Sequence, residues 1–548
     1  MKRSHCFTAL TPLTFLERSG LVYRESPAIV TDNKIYTYGE FLGRARQLST
    51  LLKTLSVGEG DCVGVLSDNC EQVIEAHFAV PATLGYLCSF NPSLSTSELK
   101  FQIDFCECKV ILVSYENFLK HSALFSVALK NIDQKILILG TSQKMDWTNR
   151  NVLDYENAIA PMRSDEPLDA CVVDEMCPIA INFTSGTTGA PKGVIFSHRA
   201  AYIQALGQAL IMKLGHESNY LWSLPMFHGN GWFHIWANVA VGAKQFIQPT
   251  DHASKVVPLS ACVSEKNISH FAGAPRLIRQ LFEVQPLKRW ENITVMTGGA
   301  APPHSLILNM KRCGARLIHQ YGLNETCATF TLCEPQARWD NSDDQEQAKL
   351  MSRQGVPAIH AGTGFRVVDE EGTDVANDGL SVGEIIMSGN TVALGYYKNK
   401  AATDKSFIDG WFYSGDLAVV HPDGYIAIKD RKKDLIYVDT EFGWLNISSI
   451  SVERSIGLCP LVKDIAVVGY QSLEGERTEV IAFVELMNDQ VGDVEKLKTF
   501  CQSTMGVYEV PNKFYVTELP KTATGKVQKH ILIQKLKDRI FTEESVGA

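Results

Sequence analysis

Between two apolar, β-prone runs, the stretch Ile181 to His198 sets a short polar loop: Ile-Asn-Phe-Thr-Ser-Gly-Thr-Thr-Gly-Ala-Pro-Lys-Gly-Val-Ile-Phe-Ser-His. A strand, a loop and a second strand are the elements this pattern allows. Gly186, Gly189 and Gly193 permit positive φ and close backbone approach, so consecutive N–H groups can converge on an anion. Thr184, Ser185, Thr187 and Thr188 add hydroxyls, and Lys192 adds a mobile point charge able to follow a polyphosphate. By composition alone a Gly/Ser/Thr cluster reads as a solvated loop. Order and spacing set this one apart. The Walker loop needs Lys followed by Ser or Thr after its glycines, whereas Lys192 is followed by Gly193 and the hydroxyls come first.

The run closely resembles the signature of the adenylate-forming superfamily, which includes acyl-CoA synthetases, peptide-synthetase adenylation domains and beetle luciferases. The resemblance implies an α/β protein with a large layered N-terminal ATP-binding domain and a small mobile α+β C-terminal domain. It also implies ATP with magnesium as reactant, and activation of a carboxylic acid as an acyl-adenylate. On that basis Thr184, Ser185, Gly186, Thr187, Thr188, Gly189 and Lys192 are phosphate-binding candidates, with Thr184 and Lys192 also catalytic.

With 548 residues, 45% of them hydrophobic and 21% charged, the chain can bury a sizeable core and is too long for one ordinary domain. A net charge of −9 argues against a nucleic-acid or anionic-membrane partner, since neither would be attracted over long range. Small molecules are the expected partners. Fourteen cysteines are scattered without a CxxC pair, and Cys106 and Cys108 lack histidine company, so reduced thiols are expected rather than a metal site. The first ten residues lack an apolar h-region, and no stretch of about 18 apolar residues occurs. A cytoplasmic location is expected. A peroxisomal one is the alternative, although the sequence ends Glu-Ser-Val-Gly-Ala rather than in a Ser-Lys-Leu-like signal.

Along the chain, Thr37 with Glu40 and Ser95 with Glu98 form capping boxes. The first opens a helix with Phe41, Ala45, Leu48, Leu51 and Leu52 at helical spacing. Val63–Leu66, Val110–Val113 and Ile136–Leu139 read as strands alternating with helices, the rhythm of α/β layers. Ile465–Val468 and Val480–Val484 read as strands near the C-terminus.

Several later stretches extend the resemblance. In Leu224-Pro225-Met226-Phe227-His228-Gly229-Asn230-Gly231-Trp232, a histidine taken alone is more often a hydrogen-bonded core residue than a catalyst. The family's corresponding stretch borders the acyl pocket, which makes His228 and Trp232 pocket candidates. Val295 to Pro302 reads as a strand entering a small-residue turn, and the resemblance assigns Gly299, Ala300 and Ala301 to adenine and acyl contact, with Gly299 also in the acid pocket. In Gln320-Tyr321-Gly322-Leu323-Asn324-Glu325-Thr326, Tyr321 can stack on a purine and Glu325 is a hard oxygen ligand for magnesium, with Thr184 its partner. Gly322, Asn324 and Thr326 belong to the same nucleotide-binding motif; the family usually has Thr at Asn324. Asp416, read as ending the aromatic strand of Trp411 to Leu417, and Arg431 fall on ribose-binding positions, and Lys526 falls on the catalytic lysine. The family's hinge falls at Lys433, so domains of 1–430 and 433–548 are expected.

After Asp434, relatives usually continue Leu-Ile-Ile-Ser-Gly-Gly-Glu-Asn-Ile. This chain reads Leu-Ile-Tyr-Val-Asp-Thr-Glu-Phe-Gly-Trp-Leu-Asn-Ile, which implies a longer turn without paired glycines and with Trp444 near the pantetheine path. A Trp-Gly-Glu motif is likewise replaced by Glu474-Gly475-Glu476. The expected function is acyl-CoA synthesis from an acid, ATP and coenzyme A. The alternative is an adenylate-binding protein with impaired CoA transfer, either a pseudoenzyme or a donor to another acceptor.

Overall fold

Both capping boxes form. The Thr37 and Ser95 side chains accept from the backbones of Glu40 and Glu98, whose carboxylates accept from the cap N–H groups, and the helices Tyr38–Thr54 and Thr96–Cys106 follow. The first buries Phe41, Ala45, Leu48, Leu51 and Leu52, the face that the spacing specifies. In this computed structural model residues 7–128, 134–140, 151–163, 165–184, 191–248, 256–284, 290–440, 443–471, 478–487, 493–522 and 526–538 are described.

By their contacts the described residues divide into two compact units. The larger takes its residues from 1–184, 192–364 and 388–410; the body of the smaller comes from 365–387 and 411–548.

In the larger unit, Cys62–Leu66, Val110–Ser114 and Lys135–Leu139 are parallel strands. Their near-continuous apolar sequence matches burial on both faces. They belong to an eight-stranded sheet in which Tyr86–Phe90 joins them to Pro178–Phe183, and Gly193–Ser197 and Gly395–Tyr396 follow antiparallel at one edge. A nine-stranded sheet contains the parallel strands Asn219–Leu221, His270–Gly273, Thr294–Thr297 and Arg316–Leu323. The helix His198–Met212 touches strands of both sheets. It is therefore buried nearly all round, including Gln204 and Gln208 one turn apart. Gly207 lies on the same helix, where a Cβ would fall 2.2 Å from Nδ1 of His360.

In the smaller unit, Phe365–Val368, Val382–Met387, Trp411–Val420 and Ile426–Arg431 pair antiparallel. A second sheet joins Val462–Gln471, Thr478–Leu486 and Lys513–Val516. Strand alternation sends Val467, Val480, Ala482 and Val484 toward the helices Ser449–Ile456 and Asp493–Thr504. Ala466, Val468, Ile481 and Phe483 go to the other face, under Leu532 and Leu536 of the helix Lys529–Lys537.

Three local expectations are corrected. Gly193 has no positive φ: it begins a strand, and its lack of a side chain matters because a Cβ would lie 2.9 Å from Cγ2 of Ile181. Asp416 lies inside the strand Trp411–Val420 rather than at its end, because Gly415, at φ +72°, bends the strand without ending it. The stretch read as a longer turn after Asp434 is instead a hairpin, Ile436–Thr440 against Gly443–Ile447, with Thr440 opposite Gly443. Glu441 and Phe442 between them lie outside the described residues. Ile436 anchors the hairpin against Gly469, where a Cβ would stand 2.8 Å from Cγ2 of Ile436.

Candidate functional site

The strands Pro178–Phe183 and Gly193–Ser197 enter and leave the polar loop, with Phe183 opposite Gly193. Two hydrogen bonds close its neck: the Thr184 N–H donates to the Lys192 carbonyl at 2.9 Å, and the Lys192 N–H donates to Oγ1 of Thr184 at 3.4 Å. Ser185, Gly186, Thr187, Thr188 and Gly189 lie outside the described residues.

The strand after the loop determines what Lys192 faces. Val194 pairs with Tyr396, and the Lys192 ammonium stands 4.6 Å from the centre of the Tyr396 ring. The Tyr396 hydroxyl donates to Oε1 of Glu325 at 2.8 Å, and the Ala393 N–H donates to the Glu325 carbonyl at 2.8 Å. Burial first, and then the Glu325 charge, raise the phenol pKa far above its usual value, so Tyr396 remains a donor. Cation, ring and carboxylate thus form one chain from residues more than 200 positions apart. Tyr396 was not singled out from the sequence: an aromatic pair after Gly395 carries no chemical signature until the strand pairing brings it beside Lys192.

Glu325 sits in a short 3₁₀ turn, Asn324–Thr326. Thr326 is fully buried; its hydroxyl accepts from the Leu323 N–H and shares its single proton between the carbonyls of Leu323 and Ala328, stabilising that turn. The Asn324 amide donates to Oδ1 of Asn182 at 3.2 Å. Its own Oδ1 lies 2.4 Å from where a Cβ on Gly229 would be, so the glycine makes room for the asparagine. Tyr321 and Gly322 precede the turn on the strand Arg316–Leu323. Gly299, at φ +80°, and Ala300 are exposed, and Ala301 is half-buried, after the strand Thr294–Thr297. Among the described residues no group of three or more His, Cys, Asp or Glu side chains is arranged to hold a metal ion. The single carboxylate of Glu325 near Lys192 fits a magnesium ion that keeps most of its ligands from phosphate and water.

In the smaller unit, Asp416 and Arg431 face each other across paired strands, with Nε to Oδ1 at 3.1 Å, and Asp416 is only 4% exposed. The Lys526 loop is closed by the Thr522 N–H donating to the Lys526 carbonyl at 2.8 Å and the Lys526 N–H donating to Oγ1 of Thr522 at 3.1 Å. Lys526 is exposed by overall surface, while its ammonium end is crowded. Burial, then repulsion from Arg431, lowers its pKa to about 8, with Lys433 adding to the effect and Asp416 and Asp434 opposing it.

His228 precedes the helix Gly229–Val241, on which Trp232 lies; the Trp232 side chain is outside what is described. The larger unit contains a narrow cavity lined by Gln208, Leu224, His234, Met296, Gly298 and Gln320, among others. It draws on the same stretches as the expected acyl pocket but through different residues. Gln208 and His234 were missed because each sits on a largely apolar helix, where the helical pattern says only that the face is buried.

Residues 16–397 match the AMP-binding enzyme family, and residues 451–526 match the AMP-binding enzyme C-terminal domain. The chain is 36% identical to acetate–CoA ligase CCL3 of Humulus lupulus, covering 98% of this chain and 96% of that protein. It is 35% identical to the acetate/butyrate–CoA ligase AAE7, peroxisomal, of Arabidopsis thaliana, covering 97% and 95%. It is 34% identical to 4-hydroxybutyrate–CoA ligase 2 of Metallosphaera sedula, covering 98% and 97%. In fold it resembles the anthranilate CoA ligase AuaEII bound to anthranoyl-AMP, with a TM-score of 0.83 at 22% identity over 99% of this chain and 100% of that one.

Proposed function

The chain belongs to the AMP-binding enzyme family, and from that premise we propose that it is an AMP-forming acyl-CoA ligase acting on a short carboxylic acid. The Lys192–Tyr396–Glu325 arrangement carries this reading, because it sets a cation and a hard anionic ligand beside the hydrogen-bonded neck of the polar loop. Relatives named for acetate, butyrate and 4-hydroxybutyrate support a short acid.

A carboxylate is a poor electrophile toward a thiol, and exchange of hydroxide for AMP activates it. The acid attacks the α-phosphorus in line, forming the acyl-adenylate and releasing pyrophosphate. Charge accumulates on the phosphoryl oxygens in the transition state, where fixed cations stabilise it. Lys526 and Lys192 supply the cations in this scheme. Glu325 with the Thr184 hydroxyl would hold magnesium, which would supply screening of the phosphate charge, and residues 184–189 hold the pyrophosphate. Gly299, Ala300, Ala301, Tyr321, Gly322, Asn324 and Thr326 form the adenine side of the site; Asp416 and Arg431 bind the ribose. His228, Trp232 and Gly299 border the acid. In the second half-reaction the thiol of CoA attacks the adenylate carbonyl and AMP leaves, after a rotation about Lys433 withdraws Lys526.

The hairpin Ile436–Ile447 favours a second reading, adenylate formation with slow CoA transfer, because an ordered strand pair replaces the family's glycine turn. One experiment tests both. A panel of two- to six-carbon acids is assayed separately for pyrophosphate release and for CoA thioester. Matched rates support the ligase; pyrophosphate without thioester supports the second reading; the absence of both rejects the function.

A further inference from the structure

Resting on the acyl-activating reading above, we propose that Gln208 and Gln320 form a neutral amide pair that selects a short carboxylic acid carrying a hydroxyl on its chain. The two side chains line the same cavity and are tied together through one hydroxyl. The Gln208 Nε2 group donates to Oγ1 of Thr329 at 2.7 Å, and that hydroxyl, having a single proton, donates to Oε1 of Gln320 at 3.0 Å. This relay fixes the polarity of both amides. It turns Gln208 Oε1 away from Thr329 as an acceptor and leaves the Nε2 group of Gln320 as a donor. Gln208 is 1% exposed, and its Oε1 has no partner among the described residues. A buried acceptor without a donor is costly, so the cavity wall favours a ligand that brings one.

Gly298 explains how Gln320 reaches this position. A Cβ at Gly298 would lie 2.4 Å from Nε2 of Gln320, so only glycine lets the amide pack over the turn that leads to Gly299. The rest of the lining narrows the choice of ligand. Leu224, Ala272, Met296 and Ala328 are apolar, and no Lys or Arg is among the lining residues. His234 hydrogen-bonds the Tyr220 hydroxyl through Nδ1, and burial lowers its pKa to about 3, so it is neutral near pH 7. A second carboxylate would have no counter-charge there. The cavity has room for about one water-sized sphere, about 10 Å³, so it excludes an aromatic ring and admits only the hydroxyl end of an acid whose chain lies outside it. A hydroxyl both donates to Oε1 of Gln208 and accepts from Nε2 of Gln320; a ketone only accepts, and a methyl group does neither.

The full-length protein is assayed for pyrophosphate release with butyrate, 3-hydroxybutyrate, 4-hydroxybutyrate, 3-oxobutyrate and succinate. At least one hydroxy acid should exceed butyrate in kcat/KM by roughly tenfold or more, because a site built around a hydroxyl leaves its own groups unpaired with the analogue lacking it. Succinate should be poorest. Gln208→Leu should bring the hydroxy-to-alkyl ratio down to about one. Thr329→Val, which removes the relay without entering the cavity wall, should lower the same ratio, and calorimetric ATP affinity reports whether each variant is folded. A wild-type ratio near one, or an equal loss with both acids in folded Gln208→Leu, overturns the amide pair while leaving acyl activation in place. Pyrophosphate release with no acid at all overturns the underlying reading and this one with it.

Discussion

Replacing Tyr396 with Phe removes one oxygen from the site and leaves the ring that faces Lys192. The lost atom donates to Oε1 of Glu325 at 2.8 Å, and a hydrogen bond to a charged acceptor contributes about 1.5–3 kcal/mol. Glu325 is only half-buried, so solvent replaces part of the bond and the lower figure applies. About 1.5 kcal/mol corresponds to roughly tenfold in a binding constant. The ring keeps its attraction for the ammonium at 4.6 Å, so Lys192 should stay in place and the loss should fall on the carboxylate. The assay is acid-dependent ATP–pyrophosphate exchange titrated with magnesium at fixed ATP. Tyr396→Phe should move the magnesium midpoint up about tenfold with a smaller change at saturating magnesium. Glu325→Gln should shift it further, and the double variant should be no worse than Glu325→Gln alone. An unchanged midpoint in folded Tyr396→Phe, or fully additive losses, would refute the view that Tyr396 acts by holding Glu325.

Lys526→Ala should lose roughly 10² to 10³ in adenylate formation yet still transfer acyl from synthetic acyl-AMP to CoA; equal loss in both assays would assign the lysine a structural role. With its pKa lowered to about 8, Lys526 is charged below that value and neutral above it, so kcat/KM for adenylation should fall as pH rises through about 8. Lys526→Arg should remove that alkaline limb from the pH profile, whatever its absolute rate. Asp416→Ala should weaken ATP binding by about 1.5–3 kcal/mol, and an unaltered calorimetric affinity would remove it from the ribose site. Gly207→Ala should lower stability by about 1–3 kcal/mol in thermal unfolding, because its Cβ would fall 2.2 Å from the His360 ring that Thr329 holds by a hydrogen bond.

The parts of this protein legible in the sequence are those encoded locally. A capping box lies within four residues, so Thr37 with Glu40 and Ser95 with Glu98 announced their helices directly. Runs such as Val110–Val113 specify strands buried on both faces, because both faces must be apolar. The order of glycines, hydroxyls and lysine from Thr184 to Gly193 is likewise local, and its resemblance to the adenylate-forming signature implies family and reaction class without the tertiary structure.

Residues that act by pairing across the chain were not legible. Tyr396 gains its role from a two-residue edge strand that pairs with the strand after the loop. Gln208, Thr329 and Gln320 become one relay only because a helix buried between two sheets brings them within hydrogen-bond reach. The stretch after Asp434 read as a turn because loss of paired glycines is a local signal, whereas a hairpin depends on register and on a partner surface for Ile436. Local sequence fixes which backbone conformations are inexpensive. Tertiary structure decides which polar atoms meet, since that depends on strand order and helix placement, to which each segment contributes only its own face.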